Sequence, residues 1–172
     1  WKAAPNLKRL LKLLKKRKAQ KKAPLVIEAG AGPATDGKRL KELGCDCVSV
    51  DYSTTMMDIA QSIDPNSKLA CADMQNMPFS LDSFDGFWAS ASLLHLSNPI
   101  HALRELLRIT KPDGVGFISI KKGIGTRINE KSGFFFRDYS DTEFKKILRK
   151  LGFRIIRSEK KPGFNNEVWL MY

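Results

Sequence analysis

The chain has 172 residues, 42% hydrophobic and 28% charged, which fits one globular domain with a core of its own and excludes a disordered or low-complexity polypeptide. No apolar run approaches the roughly 20 residues of a membrane-spanning helix, and the basic N-terminus lacks the apolar stretch of a secretory signal, so a cytoplasmic location is expected. The net charge of +12 raises a nucleic-acid partner, yet ten of the thirty Lys and Arg fall in residues 1–22, leaving 20 basic and 18 acidic groups in the remainder.

In chain order, Leu7, Leu10, Leu11 and Leu14 recur at helical spacing and Asn6 offers a cap, so Asn6–Lys22 reads as a basic amphipathic helix. This leader (residues 1–22) either packs its leucines on the domain of residues 23–172 or turns its lysines to an anionic surface, RNA or acidic lipid. Leu25–Glu28 is a first strand, and Gly30-Ala31-Gly32-Pro33 leads into a helix carrying Leu40 and Leu43 and stopped by Gly44. Cys47–Val50 is a second strand ending at Asp51, and Ser53 caps a helix through Ile63. Leu69–Ala72 and Phe84–Ala91 are the third and fourth strands, followed by a helix over Ile100–Ile109. Lys111-Pro112-Asp113-Gly114 turns into a fifth strand, Val115–Ile120. Residues 121–139 read as irregular. Asp141–Leu151 is a helix closed by Gly152, and Phe153–Ser158 and Glu167–Met171 are two last strands joined across Pro162-Gly163. The alternation predicts a parallel α/β sheet with an antiparallel edge.

Three cysteines, Cys45, Cys47 and Cys71, make no disulfide framework and read as buried reduced thiols. Cys45-Asp46-Cys47 is too tightly spaced for a zinc pair, and no metal site is expected.

The chemistry gathers at the strand ends. In Val26-Ile27-Glu28-Ala29-Gly30-Ala31-Gly32-Pro33-Ala34 a glycine turn joins a strand to a helix N-terminus, where a backbone can approach a ligand closely. Thr35 stands where the dinucleotide fingerprint requires its third glycine, and Glu28 suits a cationic cofactor better than a pyrophosphate. Asp51 can accept both ribose hydroxyls, Tyr52 can lie against a purine, and Asp73 with the Met74 N–H can meet an exocyclic amine. Three acids at three successive strand ends converge on one crevice.

Taken in order, Val26–Ala34, Val48–Met56, Cys71–Phe79, Phe84–Leu96, Ala102–Gly114 and Asp138–Phe153 resemble the class I S-adenosylmethionine-dependent methyltransferases, in their small single-domain group. The resemblance covers residues 25–172 and departs from the family at two turns, with Ala34 at the third glycine and Asp113 in place of a turn glycine. It implies a Rossmann-like fold: a mostly parallel seven-stranded sheet with an antiparallel edge strand and helices on both faces. It also implies S-adenosyl-L-methionine held by Glu28, Gly30, Gly32, Ala34, Asp51, Tyr52, Asp73 and Met74, with Ser90 and Ala91 giving backbone contacts to its methionine part. His95 is then the candidate base, to be weighed against a structural role. His101 reads as a surface or packing residue.

Ala89-Ser90-Ala91-Ser92 stands where some relatives carry Asn-Pro-Pro-Tyr, which argues against methylation of an adenine or glutamine amide nitrogen. Phe134, Phe135, Phe136, Arg137 and Tyr139 are candidates for the acceptor wall, with packing beneath the leader as the alternative. A small-molecule acceptor is favoured. The competing readings are an RNA methyltransferase similar to the tRNA wobble-uridine family, gripping RNA through residues 1–22, and a non-catalytic cofactor-binding subunit.

Overall fold

Several apolar runs have no polar face to offer water, and they become the middle of a sheet. The computed structural model describes residues 4–17, 22–130, 132–163 and 167–172. Its strands are β1 (Leu25–Ala29), β2 (Asp46–Asp51), β3 (Lys68–Cys71), β4 (Phe84–Ser90), β5 (Thr110–Lys121), β6 (Gly125–Ile128), β7 (Phe135–Asp138), β8 (Glu159–Pro162) and β9 (Val168–Met171). The helices are α1 (Ala4–Arg17), α2 (Thr35–Glu42), α3 (Thr54–Ile63), α4 (Ile100–Ile109) and α5 (Asp141–Lys150), with one 3₁₀ turn at Leu93–His95.

Seven strands form one sheet in the order β3-β2-β1-β4-β5-β9-β8. The first five are parallel, β9 runs antiparallel to β5, and β8 runs antiparallel to β9. This is the Rossmann-like arrangement expected from the sequence. Its strand order reverses between β1 and β4, so a crevice opens at their carboxyl ends.

Side chains alternate between two packed faces. Ile27, Ala29, Phe87, Ala89, Ile118 and Ile120 meet Leu103 and Leu106 of α4 and Phe144 and Leu148 of α5. Val26, Cys47, Trp88 and Phe117 meet Leu40 of α2 and the leucines of α1. Trp88 stacks on Phe117 with ring centroids 4.0 Å apart, and its indole N–H donates to Asp36 at 3.0 Å.

Caps fall where short polar side chains sit ahead of apolar periodicity. Ser53 Oγ accepts from the Met56 N–H at 3.3 Å, and Ser140 Oγ accepts from the Glu143 N–H at 3.1 Å. Acids in the first turn of α5 and bases in its last complement the helix dipole.

Five sequence expectations need correction. The first helix begins at Ala4 and carries Pro5 in its first turn, so Asn6 is not a cap. Asn6 is instead buried, its Nδ2 donating to Met171 Sδ at 3.2 Å; the predicted extension over residues 18–21 lies outside the described residues. Cys71 is exposed at the sheet edge, unlike buried Cys45 and Cys47. Lys111–Gly114 is a bulge within β5 rather than a turn before it, since Phe84 pairs with Thr110 but Gly86 with Val115. Residues 121–139 contain a hairpin, β6 with β7, whose four-residue strands are too short to show a period. Phe153–Ser158 forms no strand; pairing starts only at Glu159.

The leucines of α1 are part of the core: Leu7, Leu10, Leu11 and Leu14 are all buried, whereas Lys8, Lys12, Lys15 and Lys16 are exposed. Leu7→Ala is expected to lower the unfolding free energy by about 2–5 kcal/mol, and Lys12→Ala to change it by less than about 0.5 kcal/mol; urea titrations of both variants check this.

Candidate functional site

At the switch point the ends of β1, β2 and β4 and the segment after β3 meet. Gly30 and Gly32 turn the chain through positive φ (67° and 52°), and Ala34 accepts the same left-handed region at 53°. Asp51 ties this turn to β2. One of its carboxylate oxygens accepts from the Gly32 N–H at 2.7 Å and the other from the Ser53 N–H at 2.9 Å. Ala31 N–H adds a bond to the Val50 carbonyl at 2.9 Å. Beside this knot Tyr52 is 79% exposed, a large aromatic ring over which none of the described residues packs.

On the other flank, a Cβ on Gly30 would lie 2.3 Å from Ser92 Cβ and 2.5 Å from Met74 Cε, so only glycine lets those two side chains close on the turn. Asp73, just ahead of Met74, accepts from the Gln75 N–H at 2.8 Å. Ser92 Oγ is buried, lies 3.1 Å from that same Gly30 position, and has no partner among the described residues. A buried hydroxyl in want of a partner beside a glycine turn fits a polar ligand end. With the bare Tyr52 ring and the spare lone pairs of Asp51, the residues present fit an adenosyl cofactor.

Glu28 stands apart from this group. It shares the face of Val26 and points beneath α2, where Ser49 Oγ donates to its Oε2 at 2.6 Å and the Gly37 N–H supplies a further hydrogen bond. A Cβ on Gly37 would come within 2.5 Å of that oxygen, so a glycine is what admits the carboxyl. Burial pushes Glu28 from its ordinary 4.5 up to about 8, against the lowering effect of the Ser49 bond.

Ser90 Oγ lies 3.3 Å from Ser119 Oγ, and the Ala91 N–H is shared between Ser119 Oγ at 3.0 Å and the Ser119 carbonyl at 3.1 Å. That N–H is therefore committed to β5.

The β6–β7 hairpin docks on the 3₁₀ turn. His95 Nδ1 lies 3.0 Å from the Phe135 carbonyl. A carbonyl only accepts, so Nδ1 carries the hydrogen and Nε2 holds the lone pair in the neutral ring. The imidazole packs 4.7 Å from Phe136 and 5.9 Å from Phe134, and the Arg127 guanidinium covers Phe136 at 4.1 Å. Arg137 staples the hairpin down, donating to the Ser97 carbonyl at 2.7 Å. Tyr139 is wholly buried against Phe144, so its ring belongs to the core rather than to an open wall.

The sequence marks Ser92 only as the last residue of Ala89-Ser90-Ala91-Ser92. A serine inside the apolar run of β5 is the signal for Ser119; Arg127 gives none.

A methyltransferase-domain family model matches residues 27–118. A demethylmenaquinone methyltransferase of Paenarthrobacter aurescens is 34% identical over 89 residues, 52% of this chain and 35% of that enzyme, so the chain matches about a third of that relative. An S-adenosylmethionine-dependent methyltransferase structure from Mesorhizobium loti superposes with a TM-score of 0.78 at 15% identity, covering 98% of this chain and 96% of the other. A 1,6-didemethyltoxoflavin-N1-methyltransferase from Burkholderia thailandensis, solved with 1,6-didemethyltoxoflavin and S-adenosylhomocysteine, gives 0.74 at 19% identity over 96% and 76% of the two chains.

Because the folded value of Glu28 is raised, the folded state holds this proton longer than the unfolded chain. Its contribution to stability is full below about pH 4.5 and is lost as pH rises toward 8. Urea unfolding across that window is expected to show a decline for the wild type that Glu28→Gln removes.

Proposed function

This chain belongs to the class I S-adenosylmethionine-dependent methyltransferase family, and on that premise we propose that it moves a methyl group from S-adenosylmethionine to a small acceptor held against the surface that the 3₁₀ turn and the β6–β7 hairpin form together. The observation that carries the reading is the Asp51 knot with the bare Tyr52 ring beside it.

In this reading residues 23–172 are the cofactor-binding and transfer domain, with residues 1–22 as its leader. Asp51 keeps lone pairs for two ribose hydroxyls after binding Gly32 and Ser53, and Tyr52 covers the adenine face. Asp73 and the Met74 N–H address the adenine edge. Gly30, Gly32 and Ala34 bring the backbone close, and Ser92 Oγ finds its partner on the amino-acid end. Ser90 and Ala91 contribute carbonyls there. Glu28 acts one step removed, fixing the start of α2 and the turn that precedes it.

The bound cofactor supplies a methyl group already activated on a sulfonium. What remains for the protein is alignment and water exclusion, and effective molarities of about 10⁵–10⁸ M give the scale of that contribution. His95, its Nδ1–H held by the Phe135 carbonyl, offers Nε2 to take a proton from an acceptor hydroxyl or amine. Phe134 and Phe136 favour a flat apolar acceptor, and Arg127 above Phe136 favours one that becomes anionic when it gives up that proton. Arg137 and Tyr139 support this wall from behind.

The exposed lysines of α1 carry the competing RNA reading. Deleting the leader would remove core leucines, so charge neutralisation is the cleaner test. Lys8, Lys12, Lys15 and Lys16 changed together to Gln should leave methyl transfer unchanged for a small acceptor, whereas an RNA acceptor would lose binding and its salt dependence. Radiolabelled methyl transfer to a cell extract tests the function itself: label is expected in the small-metabolite fraction, and label in RNA or protein, or none, refutes the proposal. Asp51→Asn should weaken S-adenosylhomocysteine binding about tenfold or more by calorimetry; equal heats for wild type and variant would rule out the assigned pocket.

A further inference from the structure

The β6–β7 hairpin carries two arginines, and they are committed to different degrees. Arg137 is fully engaged: it donates to the Ser97 carbonyl at 2.7 Å, lies 3.6 Å from Glu143 and covers the Tyr139 ring at 5.0 Å. Arg127 is held by one edge only. Its Nε donates to Asp138 Oδ2 at 3.3 Å, and its two terminal amino groups make no hydrogen bond among the described residues.

The register sets Arg127 opposite Phe136, so the two share a face of the hairpin, and the guanidinium lies 4.1 Å over that ring. Phe134, two residues earlier, falls on the same face, and the exposed imidazole of His95 meets both rings. Asp138, two residues later, completes the row. A Cβ on Gly123 would lie 2.6 Å from Asp138 Cβ and 3.0 Å from its Oδ2, so a glycine there gives the carboxylate its place beside Arg127. The other oxygen, Oδ1, is buried and has no partner among the described residues. The tie therefore fixes the stem side of the guanidinium and leaves its outer edge open.

A guanidinium backed by an aromatic ring and tied at Nε has given up much of its rotamer freedom before a ligand arrives. It still presents the planar pair of terminal N–H groups that matches two oxygens of an anion. Residues 121–139 hold five Lys and Arg against two Asp and Glu, so the surroundings also favour negative charge. Shape and charge then narrow the class. A flat fork suits a flat oxygen pair, and the Asp138 carboxylate opposes a second negative charge, so a carboxylate fits where a phosphate dianion does not. The rings of Phe134 and Phe136 in the same row call for a flat apolar body attached to it. A hydroxyl on that body is a group that His95 Nε2 can relieve of its proton.

We infer that Arg127 binds a carboxylate on the methyl acceptor and that Asp138 positions it, so the acceptor is an aromatic carboxylate bearing a hydroxyl. This inference rests on the transfer reading above and narrows it: beyond the charge that appears on proton loss, Arg127 holds one that the acceptor brings with it.

The test titrates the full chain, with S-adenosylhomocysteine present, with salicylate, salicylamide and phenyl phosphate, followed by heteronuclear NMR of the Arg127 Nε–H. Salicylate is expected to bind about tenfold more tightly than salicylamide, the scale of hydrogen bonds between charged groups. Arg127→Gln should abolish that preference with an unchanged circular dichroism spectrum, and Arg127→Lys, which keeps the charge but not the fork, should retain only part of it. Asp138→Ala should reduce the preference about threefold, whereas Asp138→Asn, which still accepts from Nε, should preserve it. Equal binding of salicylate and salicylamide, binding of neither, or a preference that survives Arg127→Gln overturns the proposal. Tighter binding of phenyl phosphate than of salicylate does so too. Calorimetry with S-adenosylhomocysteine on the same samples separates the two failures. Cofactor binding without the salicylate preference leaves methyl transfer standing and removes only the acceptor class; loss of both removes the transfer reading as well.

Discussion

The carboxylate of Asp51 is the tie on which the candidate site depends. A glycine turn alone is free to adopt many shapes, and the left-handed dihedrals at Gly30, Gly32 and Ala34 need something to hold them. Asp51 does so with both oxygens, one on the turn and one at the cap of α3. The tip of the second strand thereby sets the path of the loop after the first. Because the two strands are parallel neighbours, that tie costs the chain no detour.

The sheet separates supporting work from exposed chemistry by side-chain parity. Odd and even positions of β1 serve different faces: Ile27 and Ala29 look toward α4 and α5, while Val26 and Glu28 look toward α1 and α2. A carboxyl placed on that second face stays protonated more readily, since burial penalises its charge. The basic leader follows the same logic, with leucines spent on the core and lysines left in water.

Much of the architecture was legible in the residues because its signals are local. The buried strands are runs with no polar phase, and Ser53 and Gly44 mark helix ends through their own chemistry. The meeting of Asp51 and Met74 with the glycine turn follows once the strands are parallel. What escaped depends on partners far along the chain. Phe153 and Ile155 alternate as a strand should, but a strand exists only where a neighbour supplies its hydrogen bonds. The direction of Glu28 turns on which face α2 covers, which no window of sequence contains. The hairpin at Gly125–Asp138 is carried by four backbone pairs and by Arg137 gripping the Ser97 carbonyl, neither of which leaves a pattern. Asn6 resembled a cap because its chemistry suits one; Pro5 starts the helix earlier and turns that amide into a buried contact.

Trp88 has a further consequence. Its indole is wholly buried, stacked on Phe117, and hydrogen-bonded to Asp36 in the first turn of α2. The emission of that fluorophore therefore reads the seating of the helix that follows the glycine turn. Any event that lifts or tightens α2 changes the polarity around the ring, and the protein carries its own optical gauge of order at the crevice.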